Sequence, residues 1–224
     1  MSHHDIASMA EPWFLLPLFY AMKKEGQISE YSSKISELAV NEFIQNLPQK
    51  EDGYYKQLNS FASGVYESCC KENEVYFLDK TPRYYLIIPE IEKAFPNAKF
   101  IFLFRNPIHV YSSILTTWGN NRFKNTFNYD IDLNKGVSLL SEGYLSIKEK
   151  SYALRYEDLV KDPKLYLPQL FEYLELDYDK SVLDNFSVQN TNGSFGDPTG
   201  VKDYKKIDTR SLDKWKSVFS TSYR

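Results

Sequence analysis

The residues with the clearest chemical meaning lie where an apolar run, residues 99–104, ends and a helix is predicted to begin. Arg105 ends the run, Asn106 is a good helix N-cap, and Pro107 suits the first helical position. Ser113 lies seven residues beyond the cap, so it returns to the same helix face about two turns along. A permanent cation, the free N–H groups of a helix start and a hydroxyl could bind one anion. A phosphate monoester fits the fork of an arginine best.

The residues leave one alternative open at this stretch and disfavour several other chemistries. Arg105 could instead form a salt bridge at the rim of a sheet while Ser113 only packs. The only histidines are His3, His4 and His109, and neither C-x-x-C nor H-E-x-x-H occurs, so no metal site is expected. The patterns G-x-S-x-G and G-x-x-x-x-G-K-[ST] are also missing from the sequence, which disfavours a hydrolase and a nucleotide kinase.

The composition is that of an ordinary globular chain. Of the 224 residues, 42% are hydrophobic and 16% aromatic, which is enough for a core and suits a single domain over residues 1–224. The net charge of -3 argues against nucleic-acid binding. Cys69 and Cys70 are adjacent, and because neighbouring cysteines rarely pair, reduced thiols and a cytoplasmic location are expected. The apolar segment 13–22 contains Pro17 and is too short to span a bilayer, so we expect it to be buried in a soluble protein with no transmembrane segment.

The elements that must position these residues have an α/β pattern. Apolar residues at helical spacing predict two amphipathic helices, one from Ile28 to Phe43 and one from Leu58 to Cys69, with Pro48 and Asp52-Gly53 as the turn. Short apolar strands are predicted at 75–78, 99–104 and 152–156, with helical segments between them, including 133–150. This order predicts a three-layer α/β fold in which helices flank a central parallel sheet.

At this point the sequence resembles a known family. The segment F-R-N-P-I-H-V-Y-S-S, residues 104–113, is similar to the 3′-phosphate-binding motif of sulfotransferases that use 3′-phosphoadenosine 5′-phosphosulfate (PAPS). In that motif a serine lies eight residues after the arginine, as Ser113 does after Arg105. The likeness extends from about residue 2 to 219 and includes the segments 79–84, 95–100, 154–163 and 196–198 with 214–216. The resemblance implies a P-loop NTPase-like sulfotransferase fold.

The resemblance also implies an enzyme and its donor site. The enzyme would transfer a sulfuryl group from PAPS to a hydroxyl or amine of a carbohydrate, lipid or small molecule. A homodimer is also compatible with the resemblance. Arg105 and Ser113 would bind the 3′-phosphate of the donor. Tyr156 would lie near the adenine, although it could equally be a core aromatic. Lys205, after the glycine-rich loop 193–200, could reach the nucleotide phosphates, although loop lysines are usually just solvated.

Two further residues are implied in the chemistry. Glu11 occupies the place where several branches of the family have a catalytic glutamate, and it would act as the general base. Lys80, after the strand at 75–78, would lie near the transferred sulfuryl group. Without the resemblance, Glu11 would be a carboxylate at a helix end and Lys80 a solvated lysine.

One element of the family is missing from the sequence. In the family, a strand and then a P-[KR]-S-G-T-T loop should bind the 5′-phosphosulfate, and the segment H-H-D-I at 3–6 resembles the part of the chain just after the helix of that loop. The first strand and the loop are therefore expected to be absent, through truncation or through degeneration. A degenerate chain would be an inactive nucleotide-binding or scaffold protein, and a kinase relative is a weaker third interpretation. The chain as written is expected to show little or no sulfuryl transfer.

Overall fold

A computed structural model describes residues 3–183, 207 and 209–219. The fold is α/β, as predicted, and its strands run parallel. The described strands are β1 Ile6–Ser8, β2 Tyr76–Leu78, β3 Phe100–Phe104 and β4 Ser151–Arg155. Strand β1 pairs with β2, and β3 pairs with β4.

Helices connect the strands. They are α1 Leu15–Tyr20, α2 Ser33–Gln45, α3 Lys50–Glu67, α4 Ile88–Ala94, α5 Pro107–Thr117, α6 Asp130–Leu133, α7 Lys135–Ser146, α8 Tyr156–Lys161, α9 Pro163–Tyr173 and α10 Arg210–Val218. Short 3₁₀ segments occur at Pro82–Leu86, Phe123–Tyr129, Lys148–Lys150 and Lys180–Leu183. Within the described ranges, no helix is both long and apolar enough to cross a membrane.

The chain forms two compact units. One is His4–Ala98, which contains the β1–β2 pair and α1 to α4. The described residues of the other unit are His3, 99–183, 207 and 209–219. This unit contains the β3–β4 pair and α5 to α10.

The core of the first unit forms around α1. The apolar segment 13–22 is largely buried, as predicted, because Leu15, Leu16 and Phe19 point into the core. Tyr55 and Ala62 of α3 complete this cluster with Ile87 and Ala94. Phe19 is only 1% exposed, so its burial alone stabilises the unit by roughly 1.5–3 kcal/mol.

The core of the second unit forms around β3 and β4. Phe102 and Leu154 are buried on these strands, and Tyr144 of α7 packs edge-on against Phe102 and Phe104, at 5.4 and 5.6 Å between ring centres. Phe171 of α9 is also buried. The strands are rich in aromatic and branched residues, which favour a pleated, half-buried surface.

Two predictions from the sequence are wrong in detail, and one strand was missed. Asp52-Gly53 is not a turn but lies in the first turn of α3, where Glu51 and Asp52 suit the positive end of the helix dipole. The helical segment 133–150 is broken between α6 and α7 and ends in a 3₁₀ turn. Strand β1 was not predicted, because three residues are too few to show a strand period.

The predicted apolar face of α2 is also wrong as a core face. The helix forms, but Ile35, Leu38 and Phe43 are 68%, 56% and 64% exposed. Glu37 and Ile44 are buried instead, and the Asn41 side chain donates a hydrogen bond to Glu37 at 2.8 Å. A helical period indicates which residues share a face, but not which face the neighbouring elements cover.

Candidate functional site

The ends of β3 and β4 bring three pairs of residues together. The parallel register pairs Phe104 with Arg155, the last residue of each strand. One residue on, the guanidinium of Arg105 lies over the ring of Tyr156, with Arg105 Cζ 4.3 Å from the ring centre. One residue further, the backbone N–H of Asn106 donates to the Glu157 carboxylate at 2.8 Å. Parallel strands end at the same edge of a sheet, so residues that follow the last paired residues by the same number of positions lie close together there.

The start of α5 is built as the sequence predicts. The Asn106 side chain accepts a hydrogen bond from the Ile108 N–H at 3.0 Å, and Pro107 is the first helical residue. This confirms the predicted N-cap. Ser113 lies on the second turn and is half-buried, while its neighbour Ser112 is 1% exposed and is fully enclosed by the fold.

The guanidinium of Arg105 is not fully satisfied by hydrogen bonds and ion pairs within the described part of the chain. Its Nε is buried and has no hydrogen-bond partner in the described part of the chain. No carboxylate among the described residues forms an ion pair with it, so the salt bridge at the sheet rim is not what the structure shows there. Because buried polar atoms are nearly always hydrogen-bonded, an unpartnered N–H on a permanent cation fits a phosphate or another oxyanion.

Tyr156 links this edge to α10. Its ring lies beneath Arg105, and its hydroxyl lies 2.9 Å from Ser211 Oγ on α10. The sequence predicted Tyr156 as the last residue of the strand, but in the structure β4 ends at Arg155 and Tyr156 is the first residue of α8. The segment 214–216 is helical, and Trp215 stacks on His109 of α5 with 6.1 Å between ring centres.

Glu157 is a buried carboxylate that the sequence did not single out. Burial by itself would raise the pKa of Glu157, but hydrogen bonds from the Asn106 N–H and from its own N–H, together with His109 and Arg155, hold it below its ordinary value. His109 Nδ1 lies 3.2 Å from the carboxylate, without the alignment of a hydrogen bond. Glu157 thus stays ionised and fixes the turn that carries Arg105.

The ends of β1 and β2 form a second cluster of charged residues. Ser8 pairs with Leu78 in parallel register, so Glu11 and Lys80 lie beyond the same edge of this pair. The Lys80 ammonium donates a hydrogen bond to the Glu11 carboxylate at 2.6 Å. The Glu11 side chain is 12% exposed and that of Lys80 is 54% exposed. The two residues implied in the chemistry are therefore in contact.

A hydrogen-bonded network lies beside this ion pair. The Asp79 carboxylate accepts hydrogen bonds from the hydroxyls of Tyr66, Tyr84 and Thr81. Burial, and then the negative charge of Asp79, raise the pKa of both tyrosines well above its ordinary value. Both phenols therefore remain protonated donors at neutral pH.

Sequence reasoning identified Glu11, Lys80, Arg105 and Tyr156 but missed Asp79 and Glu157. A signal for Glu157 was available, because it lies at the same offset from the end of β4 as Asn106 does from the end of β3. Asp79 begins the family-like segment 79–84, but nothing in the sequence indicated its contact with Tyr66 of α3. Lys205 and the loop 193–200 lie outside the described residues.

Comparison with known proteins agrees with this architecture. Over 244 aligned residues the chain is 25% identical to nodulation protein NoeE of Sinorhizobium fredii (strain NBRC 101917 / NGR234). The alignment covers 96% of the chain and 55% of NoeE, so the chain spans about half the length of this relative.

Two solved structures share the fold. A sulfotransferase domain from the curacin biosynthetic pathway has a TM-score of 0.61 and 21% identity, with 97% of this chain and 83% of that domain covered. A sulfotransferase domain from the Synechococcus PCC 7002 olefin synthase has a TM-score of 0.54 and 23% identity, with 84% and 64% covered. The sequence profile of the Sulfotransferase family matches residues 1–180, a range that includes the ends of all four strands and both clusters. On this match the chain belongs to the sulfotransferase family.

Proposed function

We propose that this protein transfers a sulfuryl group from PAPS to a hydroxyl or amine acceptor. The observation that carries the proposal is the state of Arg105. Its guanidinium lies over the ring of Tyr156, and its Nε is buried without a partner among the described residues, next to the start of α5. A cation fixed in this way fits the 3′-phosphate of the donor nucleotide.

The residues around Arg105 would anchor the donor. The guanidinium and the free N–H groups at the start of α5 would bind the 3′-phosphate, and the Ser113 hydroxyl would add a hydrogen bond. Tyr156 would lie near the adenine, and Lys205 near the nucleotide phosphates, as the family resemblance implies. Each of these contacts involves the nucleotide and not the acceptor, so it should determine the affinity for the donor more than the rate of transfer.

Glu11 and Lys80 would act on the acceptor and on the sulfuryl group. The carboxylate of Glu11 would accept the proton of the acceptor hydroxyl as its oxygen forms the new bond to sulfur. The bond between sulfur and the phosphate oxygen breaks, and the nucleotide leaves as adenosine 3′,5′-bisphosphate. The half-exposed ammonium of Lys80 would stabilise the negative charge that develops in this step.

A groove lies beside α5 in the second unit. It has a volume of about 880 Å³, and its lining is mainly apolar and aromatic, with Ile108, Tyr111, Phe123, Phe127, Trp215 and Phe219. Such a lining suits an apolar or aromatic group. Comparing phenols, fatty alcohols and sugars as acceptors would test whether this groove takes part in substrate binding.

We also propose that the protein works in the cytoplasm, since Cys69 and Cys70 are both free thiols. A homodimer remains a prediction, which light scattering of the purified protein would test.

The test has a binding arm and a turnover arm. In calorimetric titration, adenosine 3′,5′-bisphosphate should bind more tightly than adenosine 5′-monophosphate, because only the former has a 3′-phosphate. Transfer from radiolabelled PAPS to a panel of phenols, fatty alcohols and sugars should identify the acceptor. Glu11→Gln should lower kcat by about 10²–10⁴ without weakening nucleotide binding, whereas Glu25→Gln, at an exposed site of the same unit, should change neither.

The outcomes separate the candidate functions. Equal affinity for the two nucleotides would contradict the donor assignment. Tight binding of the bisphosphate without turnover on any acceptor would favour an inactive nucleotide-binding or scaffold protein.

A further inference from the structure

Asp79 lies directly before Lys80, at the end of β2, and its carboxylate is the centre of a network of hydroxyl groups. Tyr66 and Tyr84 both donate to Oδ2, at 2.5 and 2.6 Å, and Thr81 donates to Oδ1 at 3.1 Å. In the described part of the chain, Asp79 forms no ion pair with a basic side chain. Among the described side chains, three neutral hydroxyl groups are what donate hydrogen bonds to its charge.

Two of these hydroxyls also accept hydrogen bonds from the backbone of the segment that contains Glu11. Thr81 Oγ1 accepts a hydrogen bond from the Trp13 N–H at 3.2 Å. The Tyr84 hydroxyl accepts one from the Leu15 N–H at 3.3 Å. Trp13 and Leu15 lie two and four residues after Glu11, and Asp79 directly precedes Lys80. The Asp79 carboxylate is therefore linked, through Thr81 and Tyr84, to the segment that follows Glu11.

The segment that is held in this way is strained. Trp13 has a φ of 54°, in the left-handed region that is uncommon for a residue other than glycine. A strained bend persists only when its surroundings determine it. The hydrogen bond from Trp13 N–H to Thr81, backed by Asp79, holds this bend next to Glu11.

We infer that Asp79 is a positioning residue, which aligns Glu11 with Lys80 through Thr81 and Tyr84. This role rests on the proposed function, because positioning the ion pair affects catalysis only if Glu11 and Lys80 take part in sulfuryl transfer. The network needs a group that only accepts hydrogen bonds, since three donors converge on it. An asparagine would turn an N–H₂ group toward at least one of the hydroxyls and disrupt the arrangement.

The experiment compares wild type, Asp79→Asn, Glu11→Gln and the double variant. Reductive methylation with ¹³C labels the lysines and keeps their charge, and Lys80→Arg identifies the Lys80 resonance. We expect Asp79→Asn to move this resonance toward its position in Glu11→Gln, because both changes disturb the ion pair. With an active acceptor, kcat should fall by about 10²-fold, the effect of a misplacement near 1 Å, while the dissociation constant of adenosine 3′,5′-bisphosphate stays within about twofold.

The double variant distinguishes positioning from a general loss of structure. If Asp79 acts through Glu11, Asp79→Asn should cause no further loss of kcat in the Glu11→Gln background. Asp52→Asn, at an exposed position of the same unit, is the matched control and should leave the resonance and kcat unchanged. If Asp79→Asn does not fold, Thr81→Val and Tyr84→Phe each remove one connection, and each should move the Lys80 resonance in the same direction.

Two results would overturn the inference. One is an unmoved Lys80 resonance in the folded variants. The other is a loss of kcat that is equal in both backgrounds. Equal affinity for the two nucleotides would show that the proposed function fails. Absence of turnover alone would not, because the chain as written is expected to show little transfer. In either case the Lys80 resonance still decides whether Asp79 positions the ion pair.

Discussion

Arg105 and Tyr156 form a cation–π stack, with the guanidinium carbon 4.3 Å from the centre of the ring. Each residue comes directly after one partner of the last pair of the β3–β4 register, Phe104 and Arg155. The face of the ring attracts the cation, and the Nε–H of Arg105 has no hydrogen-bond partner among the described residues, so it is available to an anion. The strand register therefore orients the cation before any ligand binds.

The first prediction concerns Arg105 itself. Arg105→Ala should weaken the binding of adenosine 3′,5′-bisphosphate by about 1.5–3 kcal/mol, the worth of a hydrogen bond to a charged group. Arg105→Lys should recover only part of this loss, because lysine lacks the planar fork and stacks poorly on the ring. Calorimetric titration measures both values. Arg122→Ala, at an exposed arginine in the same unit, is the control, and a loss as large as that of Arg105→Ala would contradict the assignment.

A second prediction separates the two contacts of Tyr156. Tyr156→Phe keeps the ring under Arg105 but loses the hydrogen bond between the Tyr156 hydroxyl and Ser211 at 2.9 Å. It should lower the free energy of unfolding by about 1 kcal/mol and leave nucleotide affinity nearly unchanged. Tyr156→Leu also removes the ring and should weaken nucleotide binding by about 0.5–2 kcal/mol. Equal affinities of the two variants would mean that the stack does not help to hold Arg105.

Much of the second unit could be predicted from the sequence. The run of apolar residues before Arg105 and the Asn-Pro pair after it are local signals, and they correctly indicate β3, the N-cap and α5. The burial of α2 could not be predicted, because both of its faces contain apolar residues. Which face is covered depends on how α2 packs against α3, and a local pattern does not contain this information.

The third prediction tests which face of α2 is buried. Ile44 is 1% exposed, whereas Leu38 on the same helix is 56% exposed. Ile44→Ala should lower the free energy of unfolding by about 2–5 kcal/mol, because it opens a cavity in the core. Leu38→Ala should change it by about 0.5 kcal/mol or less. Urea unfolding of both variants measures the difference, and the reverse order would restore the face that the sequence predicts.

The candidate site, like the fold, could be predicted from the sequence only in part. Glu11, Lys80, Arg105 and Tyr156 lie just beyond the strands, so strand ends and family motifs indicate them together. Asp79 and Glu157 act through partners that are distant in sequence: Tyr66 precedes Asp79 by 13 residues and Asn106 precedes Glu157 by 51. Only the fold shows that these carboxylates support the residues that the sequence identified.

The last prediction concerns Glu157 and acid. Glu157→Ala would remove the charged acceptor of the part-buried hydrogen bond from the Asn106 N–H, so the free energy of unfolding should fall by about 1.5–3 kcal/mol at pH 7. The pKa of Glu157 in the folded protein lies below its ordinary value of 4.5, so the unfolded chain binds more protons in acid. The contribution of the ionised carboxylate is therefore fully present above about pH 4.5 and is lost as the pH falls through the folded-state pKa.

Urea unfolding at several pH values between about 3 and 7 tests this dependence. The difference between wild type and Glu157→Gln should shrink toward acid, since a protonated glutamic acid and a glutamine are both neutral. Glu172→Gln, at an exposed position on α9, should show no such pH dependence. A difference between wild type and Glu157→Gln that stays constant, or grows as the pH falls, would show that the charge of Glu157 does not stabilise the turn before α5.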